Sequence, residues 1–391
     1  MQFHDLKVKR IIRETADAVS LVFDVPKHLQ ETFQFIQGQY LTLRFELNGE
    51  KVRRAYSMSS SPVENEIKIT VKRIVNGLVS SHISKNLRAG DTVAVMSPKG
   101  RFYTQIDAEN KKSYYLFGGG SGITPLMSIL KTVLAKEPLS KVFLLYGNRD
   151  EMSIIFRKEL SDLQKKYKDR LFVEHILSDP IVVEKKTMFG FNKKQIISWK
   201  GKVGVPNAQN TLRFLNRHRP HHKKQEYFVC GPTPMMDAVE QVLLNKDIDK
   251  KIIHLERFSA APAPTKKNNE NGKPESLIEI DLNGVRADAV LVAHLGDETI
   301  ETTIPLGKSI LDTLIDLGHE PPFSCKTGAC ATCLGKCTSG NVKMNECLTL
   351  EDDEIEEGLI LTCQSRPLTD RIEITYNCLL YTSPSPRDIG E

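Results

Sequence analysis

No run of about 18 apolar residues occurs anywhere in the chain, so a membrane-spanning helix is not expected. The opening residues, Met1, Gln2, Phe3, His4 and Asp5, lack the apolar core of a secretion signal, so a cytoplasmic protein is expected. The lysines and arginines are spread out with no aromatic–basic stripe among them, which argues against nucleic acid as a partner. The glycine-rich segment at residues 118–122 is not Gly-x-Gly-x-x-Gly, so the usual dinucleotide fingerprint is missing. Paired Cys-x2-Cys knuckles of the zinc type are missing too. What is present is an ordinary globular composition, 40% hydrophobic and 26% charged, in 391 residues. That length suggests two to four domains, each able to bury a core.

The net charge of +5 is unevenly shared. Residues 277–376 carry about −11, and residues 1–276 carry about +17. Two domains of different composition account for this. Attraction between the two halves, which salt would screen, is the functional alternative.

Residues 1–110 alternate at period two, most clearly at 19–25, 40–47 and 67–72. Gly and Pro punctuation separates these runs, so an antiparallel β-barrel is predicted. From residue 111 short apolar strands alternate with helices near 123–136 and 156–167. That pattern predicts a doubly wound parallel α/β sheet over 111–258. Residues 259–276, poor in large apolar side chains and rich in Pro, Asn and Lys, read as a linker. An acidic α+β domain follows at 277–376, with strands near 277–282 and 301–304 and a helix near 309–317. The tail at 377–391 shows no periodicity and reads as disordered or non-native.

Cys325, Cys330, Cys333 and Cys363 give the strongest chemical signal. Four soft, charged thiolates suit two sulfide-bridged iron ions. Gly328, Ala329, Ala331 and Thr332 are small, so backbone amides can approach the sulfurs. Cys337 and Cys347 read as bystanders. In the barrel half, Arg54, Tyr56 and Ser57 supply a cation for a pyrophosphate, an aromatic face for a flavin and a hydroxyl for its N5. Gly77 and Ser80 open a helix whose amides can hold phosphate. A plain strand and helix cap would use the same residues. Lys72, ending the strand before that helix, joins the cofactor-binding candidates.

Gly118, Gly119, Gly120, Ser121, Gly122, Thr124 and Pro125 follow a strand and open a helix, a place for a dinucleotide pyrophosphate. Cys230, Gly231 and Pro232 end a later strand, where a lone cysteine would read as a core thiol. Arg149 and Arg157 are placed to pair with a 2′-phosphate, which favours NADPH over NADH. An ordinary Arg149–Asp150 surface pair is the alternative. His218, His221 and His222 read as a solvated basic loop, and residues 185–194 as a surface insertion.

Together these motifs resemble the ferredoxin–NADP reductase superfamily, and residues 277–376 resemble a plant-type ferredoxin of β-grasp fold. The resemblance implies that Arg54 binds the FAD pyrophosphate, Tyr56 stacks on the isoalloxazine, Ser57 bonds N5, and Gly77 and Ser80 hold phosphate. It places Cys230 at the nicotinamide C4, with Glu256 and Phe258 by the flavin. The catalytic candidates are therefore Tyr56, Ser57, Cys230 and Glu256. The domain order is similar to that of the reductase subunits of phenylacetyl-CoA oxygenases and 3-ketosteroid 9α-hydroxylases. That implies electron flow from NADPH through FAD and a [2Fe–2S] cluster to a terminal oxygenase or hydroxylase. A general reductase for a Rieske or diiron hydroxylase or desaturase, and a non-catalytic electron carrier, are the alternatives.

Overall fold

The computed structural model describes residues 2–75, 77–186, 193–197, 199–258, 282–323, 325–347, 349–350 and 352–377, without the side chains of residues 50, 183–186 and 193–196. The expected linker, most of the strand near 277–282 and residues 378–391 lie outside the described residues. Two compact units result, Gln2–Phe258 and the residues from 282 onward.

The first unit begins with β1 (Phe3–Arg13), β2 (Ala18–Asp24), β3 (Tyr40–Leu47), β4 (Glu50–Ser57), β5 (Ile67–Lys72) and β6 (Thr92–Met96). They form one antiparallel sheet in the order β4-β3-β6-β1-β2-β5. Alternate side chains point inward, as a strand's period of two requires. Leu6 and Val8, Leu41 and Leu43, and Ile67, Ile69 and Val71 are buried in one core. Each such burial contributes about 2 kcal/mol. A bridge between Met58 and Ile69 joins the two sheet edges and closes the barrel. Helix α1 (Leu78–Lys85) adds Val79 and Ile83 to this core.

The next strands are β7 (Lys112–Gly119), β8 (Lys141–Asn148) and β9 (Leu171–Leu177). A hairpin, β10 (Val182–Lys186) with β11 (Lys193–Ile197), stands apart as a two-stranded ribbon. Then come β12 (Lys202–Val203), β13 (Lys224–Cys230) and β14 (Ile253–Glu256). The main sheet is wholly parallel, in the order β12-β9-β8-β7-β13-β14. Helices α2 (Ile123–Lys136), α3 (Arg157–Lys166), α4 (Ala208–Arg217) and α5 (Thr233–Leu244) cover it. Ala18 and Phe102 from the barrel side share the core of α2, so this helix is buried nearly all round.

The histidine loop is largely exposed, His221 included, but His218 departs from the solvated reading. His218 Nε2 lies 2.7 Å from a Glu174 carboxylate oxygen. Its ring packs against Phe143, Phe172 and Phe214. The His221 and His222 amides both donate to Ser113 Oγ. A cluster of cations in sequence hid an aromatic neighbourhood built by distant strands and a helix.

In the second unit β15 (Ala289–Leu295), β16 (Glu298–Ile304), β17 (Leu334–Ser339), β19 (Leu359–Leu361) and β21 (Arg371–Thr375) form a mixed sheet in the order β16-β15-β21-β17-β19. A small ribbon pairs β18 (Val342–Met344) with β20 (Ser365–Pro367). Helix α6 (Ile310–Asp316) packs Ile310 and Leu314 on the sheet, and α7 (Asp352–Glu356) is short and acidic. Asn377 is held by paired bonds to Gly296, at 2.9 and 2.8 Å, so the folded unit runs one residue past the expected boundary.

Candidate functional sites

Strand order reverses between β7 and β13, and open parallel sheets bind ligands at the C-terminal ends of their strands at such a point. Pairing sets Gly118 beside Cys230, and Cys230 beside Glu256. The chain then passes through one 3-10 turn, Gly120–Gly122, into α2. A Cβ on Gly122 would sit 2.0 Å from the Cys230 carbonyl oxygen, and one on Gly119 would sit 2.6 Å from Pro232 Cδ. Only glycine lets the loop lie this close to residues 230–232. The Tyr146 hydroxyl donates to the Gly120 carbonyl at 2.9 Å, and Thr124 Oγ1 to the Ser121 carbonyl at 3.0 Å. Pro125 falls in the first helical turn, where its missing N–H has no cost.

The barrel reaches the same crevice. Ser57, at the end of β4, donates to Glu256 Oε1 at 3.2 Å. Burial pushes the Glu256 carboxyl up to about 8, against the Ser57 bond, so it holds its proton at neutral pH. Burial, then the neighbouring Glu256, raises the Cys230 thiol, which stays protonated. Lys72 Nζ lies 3.7 Å from Asp17 Oδ2 and the same distance from the Cβ position of Gly120. Tyr56 is half-buried next to Ser57, and burial raises its phenol. Arg54 is exposed, donating to the Arg53 carbonyl at 2.7 Å.

Ser80 bonds within its own turn. Its hydroxyl accepts from the Ile74 amide at 3.1 Å and donates to the Gly77 carbonyl at 3.4 Å, so it closes the turn before α1. Gly77, the N-cap, makes no side-chain cap, which leaves the first amides of α1 available to phosphate. Arg149 lies beyond the end of β8, 68% exposed and 2.8 Å from Asp150. Arg157, also exposed, donates to the Glu151 carbonyl at 3.3 Å. Phe258 is exposed, and its neighbour Arg257 is tied to Asp237 and Glu240 on α5.

Three residues escaped the sequence reading. Tyr146 fixes the glycine loop, and Asp17 pairs with Lys72. Asn148 ends β8 with both side-chain amide atoms buried, close to the Tyr146 hydroxyl. A strand-end tyrosine is a usable signal; nothing local marks Asp17 or Asn148. The close approach of the glycine loop to residues 230–232, which any Cβ would block, fits a bound dinucleotide.

The second site is the loop at 325–333. Lys326 and Ala331 adopt left-handed φ of 59° and 48°, and Gly328 adopts 75°. Two non-glycine residues in this region within six positions mark a loop held in strain, as functional sites often are. The four cysteines fall into two pairs. Cys325 bonds with Cys330, and Cys333 with Cys363; within each pair the shared bond lowers one thiol and raises the other. Backbone amides reach the sulfurs. Thr327 donates to Cys325 at 3.3 Å, and Thr332 and Gly328 donate to Cys330 and Cys363.

Among the described residues no three or more Cys, His, Asp or Glu side chains gather as around a single metal ion. Two pairs are what a binuclear cluster asks for, since each iron takes two thiolates and shares two sulfides. The donor set, the pairing and the amide cradle fit [2Fe–2S]. Cys337 instead donates to the Ser339 carbonyl, and Cys347 packs against the apolar group that includes Cys333 and Cys363.

A closed barrel, a parallel nucleotide sheet and a cysteine-bearing ferredoxin sheet, in that order, define an iron–sulfur flavoprotein reductase. Three family patterns match: oxidoreductase FAD-binding domain over 5–103, oxidoreductase NAD-binding domain over 116–241, and 2Fe-2S iron-sulfur cluster binding domain over 293–368. The chain is 35% identical to a subunit of the 1,2-phenylacetyl-CoA epoxidase of Escherichia coli, over 96% of this chain and 98% of that one. It is 34% identical to the ferredoxin reductase component of 3-ketosteroid-9-alpha-monooxygenase of Rhodococcus rhodochrous, over 95% and 96%. Phthalate dioxygenase reductase, a solved modular structure for electron transfer from pyridine nucleotides to [2Fe–2S], shares the fold with TM-score 0.55 and 23% identity, over 95% of this chain and 98% of that one. The chain belongs to the ferredoxin–NADP reductase-type reductase components that join FAD-binding, NAD-binding and [2Fe–2S] domains in one polypeptide. It is an oxidoreductase whose cofactors are FAD, a pyridine nucleotide and a [2Fe–2S] cluster. Among the described residues no helix is long and apolar enough to cross a membrane.

Proposed function

We propose that this reductase draws electrons from NADPH and delivers them to the terminal component of a phenylacetyl-CoA-type oxygenase. The observation that carries the electron-transfer reading is the juxtaposition of Ser57, Cys230 and Glu256 against the glycine loop, in a chain that also gathers four cysteines; the partner is supported by the 35% identity to a phenylacetyl-CoA epoxidase subunit. Bound FAD accepts a hydride and bound [2Fe–2S] carries single electrons onward; that chemistry is the cofactors' own.

The chain's part is placement. Tyr56 offers its ring to the flavin, Ser57 its hydroxyl to N5, and Arg54, Lys72 and the amides after Gly77 offer positive ends to the pyrophosphate; Ser80 keeps that turn closed. Residues 118–122, with Thr124 and Pro125 shaping the turn, seat the nucleotide pyrophosphate at the start of α2. Cys230, with Gly231 and Pro232, would border the nicotinamide, and Phe258 would lie by the flavin. Glu256, its carboxyl pushed up to about 8 by burial, accepts from Ser57 and orients it. Cys325, Cys330, Cys333 and Cys363 hold the two irons.

NADPH rests on Arg149 and Arg157 as partners of a 2′-phosphate. The Arg149–Asp150 pair is exposed, and exposed pairs are weak enough for a phosphate to displace. NADH is the second reading, because Asp150 flanks Arg149 and the Asp179 amide bonds to its carbonyl at 2.7 Å. Carboxylates there suit a free 2′-hydroxyl.

Reconstitution tests donor and partner together. With a phenylacetyl-CoA oxygenase component the purified chain is expected to support turnover, with kcat/KM at least about tenfold higher for NADPH than for NADH. Turnover only with a steroid or betaine hydroxylase would replace the partner, and an NADH preference would replace the donor.

A further inference from the structure

We infer that Lys131 is a positioning residue: a buried clasp between the FAD barrel and the nucleotide sheet that fixes the geometry for hydride transfer. The inference rests on the reductase reading above and adds a residue to it. Lys131 lies in α2, its side chain only 6% exposed, and its ammonium touches two carboxylates. Glu64 Oε2, from the barrel, is 2.8 Å away, and Glu159 Oε1, from α3, is 3.2 Å away. The far oxygen of Glu159 faces Lys68 on barrel strand β5 at 3.8 Å. The chain of charges therefore runs barrel, α2, α3, barrel, and crosses the seam twice.

Only the Lys131 ammonium is enclosed, Glu64 being 36% and Glu159 33% exposed. A buried ammonium is costly unless paired, so removing a carboxylate partner leaves it uncompensated. Glu64 is itself held in place, since its Oε2 accepts the Ser61 amide at 2.8 Å. Hydroxyls close the seam beside it. Ser61 Oγ meets Thr132 Oγ1 at 2.7 Å, and Ser128 Oγ donates to the Ser60 carbonyl at 2.6 Å. These polar contacts have direction, so they fix an angle between the lobes where apolar packing alone would tolerate sliding.

The clasp sits on the two elements that carry the sites. Lys131 is eight positions beyond Ile123, about 12 Å along the helix that the glycine loop opens. Lys68 lies on the strand that ends at Lys72, beside Gly120. Loosening one end of these rigid elements moves the other, where flavin and nicotinamide must meet. Misplacing reacting atoms by about 1 Å costs up to about a hundredfold in rate.

The test uses the full holoprotein, with Lys131→Met and the milder Glu64→Gln. Stopped-flow hydride transfer is expected to slow at least about tenfold in Lys131→Met, and less in Glu64→Gln. The charge-transfer absorbance of the nucleotide–flavin complex should weaken, and the amides of Ser60, Ser61, Val63 and Glu64 should exchange faster. The dissociation constant for NADP+ and the flavin and iron contents should stay unchanged. Lys131→Arg, which keeps the charge, should recover most of the rate. Unchanged hydride transfer and charge-transfer absorbance in folded Lys131→Met overturn the proposal. So does a loss explained wholly by weaker nucleotide binding. If Lys131→Met does not fold, Glu64→Gln decides by the same readouts. Absence of hydride transfer in the parent protein would instead overturn the reductase reading.

Discussion

Gly122→Ala is expected to lower kcat/KM for the pyridine nucleotide by about a hundredfold or more while leaving FAD and iron bound. The added methyl would lie 2.0 Å from the Cys230 carbonyl oxygen, 2.4 Å from its carbon and 2.8 Å from the Gly231 nitrogen. All three are backbone atoms of a strand end and its turn, so none can rotate away as a side chain would. The backbone at Gly122, with φ of −60°, suits any residue, so the defect comes from space and not from strain. The loop must lift from β13, carrying with it the amides at the start of α2. Nucleotide titration and steady-state kinetics check this; an alanine variant with normal KM would show that the loop does not seat the nucleotide.

Cys363→Ser is expected to abolish electron delivery beyond the flavin, while nucleotide-driven flavin bleaching stays within about twofold. Cys363 is 6% exposed and shares its bond with Cys333, receiving the Gly328 amide as well. Serine offers a harder, less acidic donor at the same place, a poor match for iron in a sulfide cluster. The flavin crevice is built by Gln2–Phe258, a compact unit to which Cys363 does not belong. Iron analysis, visible absorbance and stopped-flow traces separate the two effects. If flavin bleaching fell with the cluster, the assignment of separate roles would be wrong.

Much of this was legible in the residue pattern because the signals were local. Period-two runs announced the barrel, and apolar strands alternating with helices announced the parallel sheet. The cysteine spacing announced a thiolate set, and the fold brings those four residues together as two hydrogen-bonded pairs. What sequence could not supply was contact across long separations. Asp17 meets Lys72 only because the turn before β2 lies beside the end of β5. Nothing local marks Lys131 as buried, yet its side chain is only 6% exposed and pairs with Glu64 from the barrel. His218 looked solvated, yet Phe143, Phe172 and Phe214 surround it. Ser80 kept its motif position, but its hydroxyl went to the turn. The ribbon of β10 and β11 sets Lys185 in register with Lys194 and Lys186 with Lys193, a lysine-rich run that hid the strand pattern.

The central claim is that one chain takes hydride into a flavin and passes single electrons to its own binuclear iron cluster. Anaerobic titration of the purified protein with NADPH, followed by visible absorbance and EPR on the same sample, tests it most directly. The account predicts one FAD, two irons and two sulfides per chain, flavin bleaching on addition of nucleotide, and a rhombic EPR signal that grows as the cluster is reduced. Zinc in place of iron, or a flavin that bleaches with no rhombic signal appearing, would contradict it.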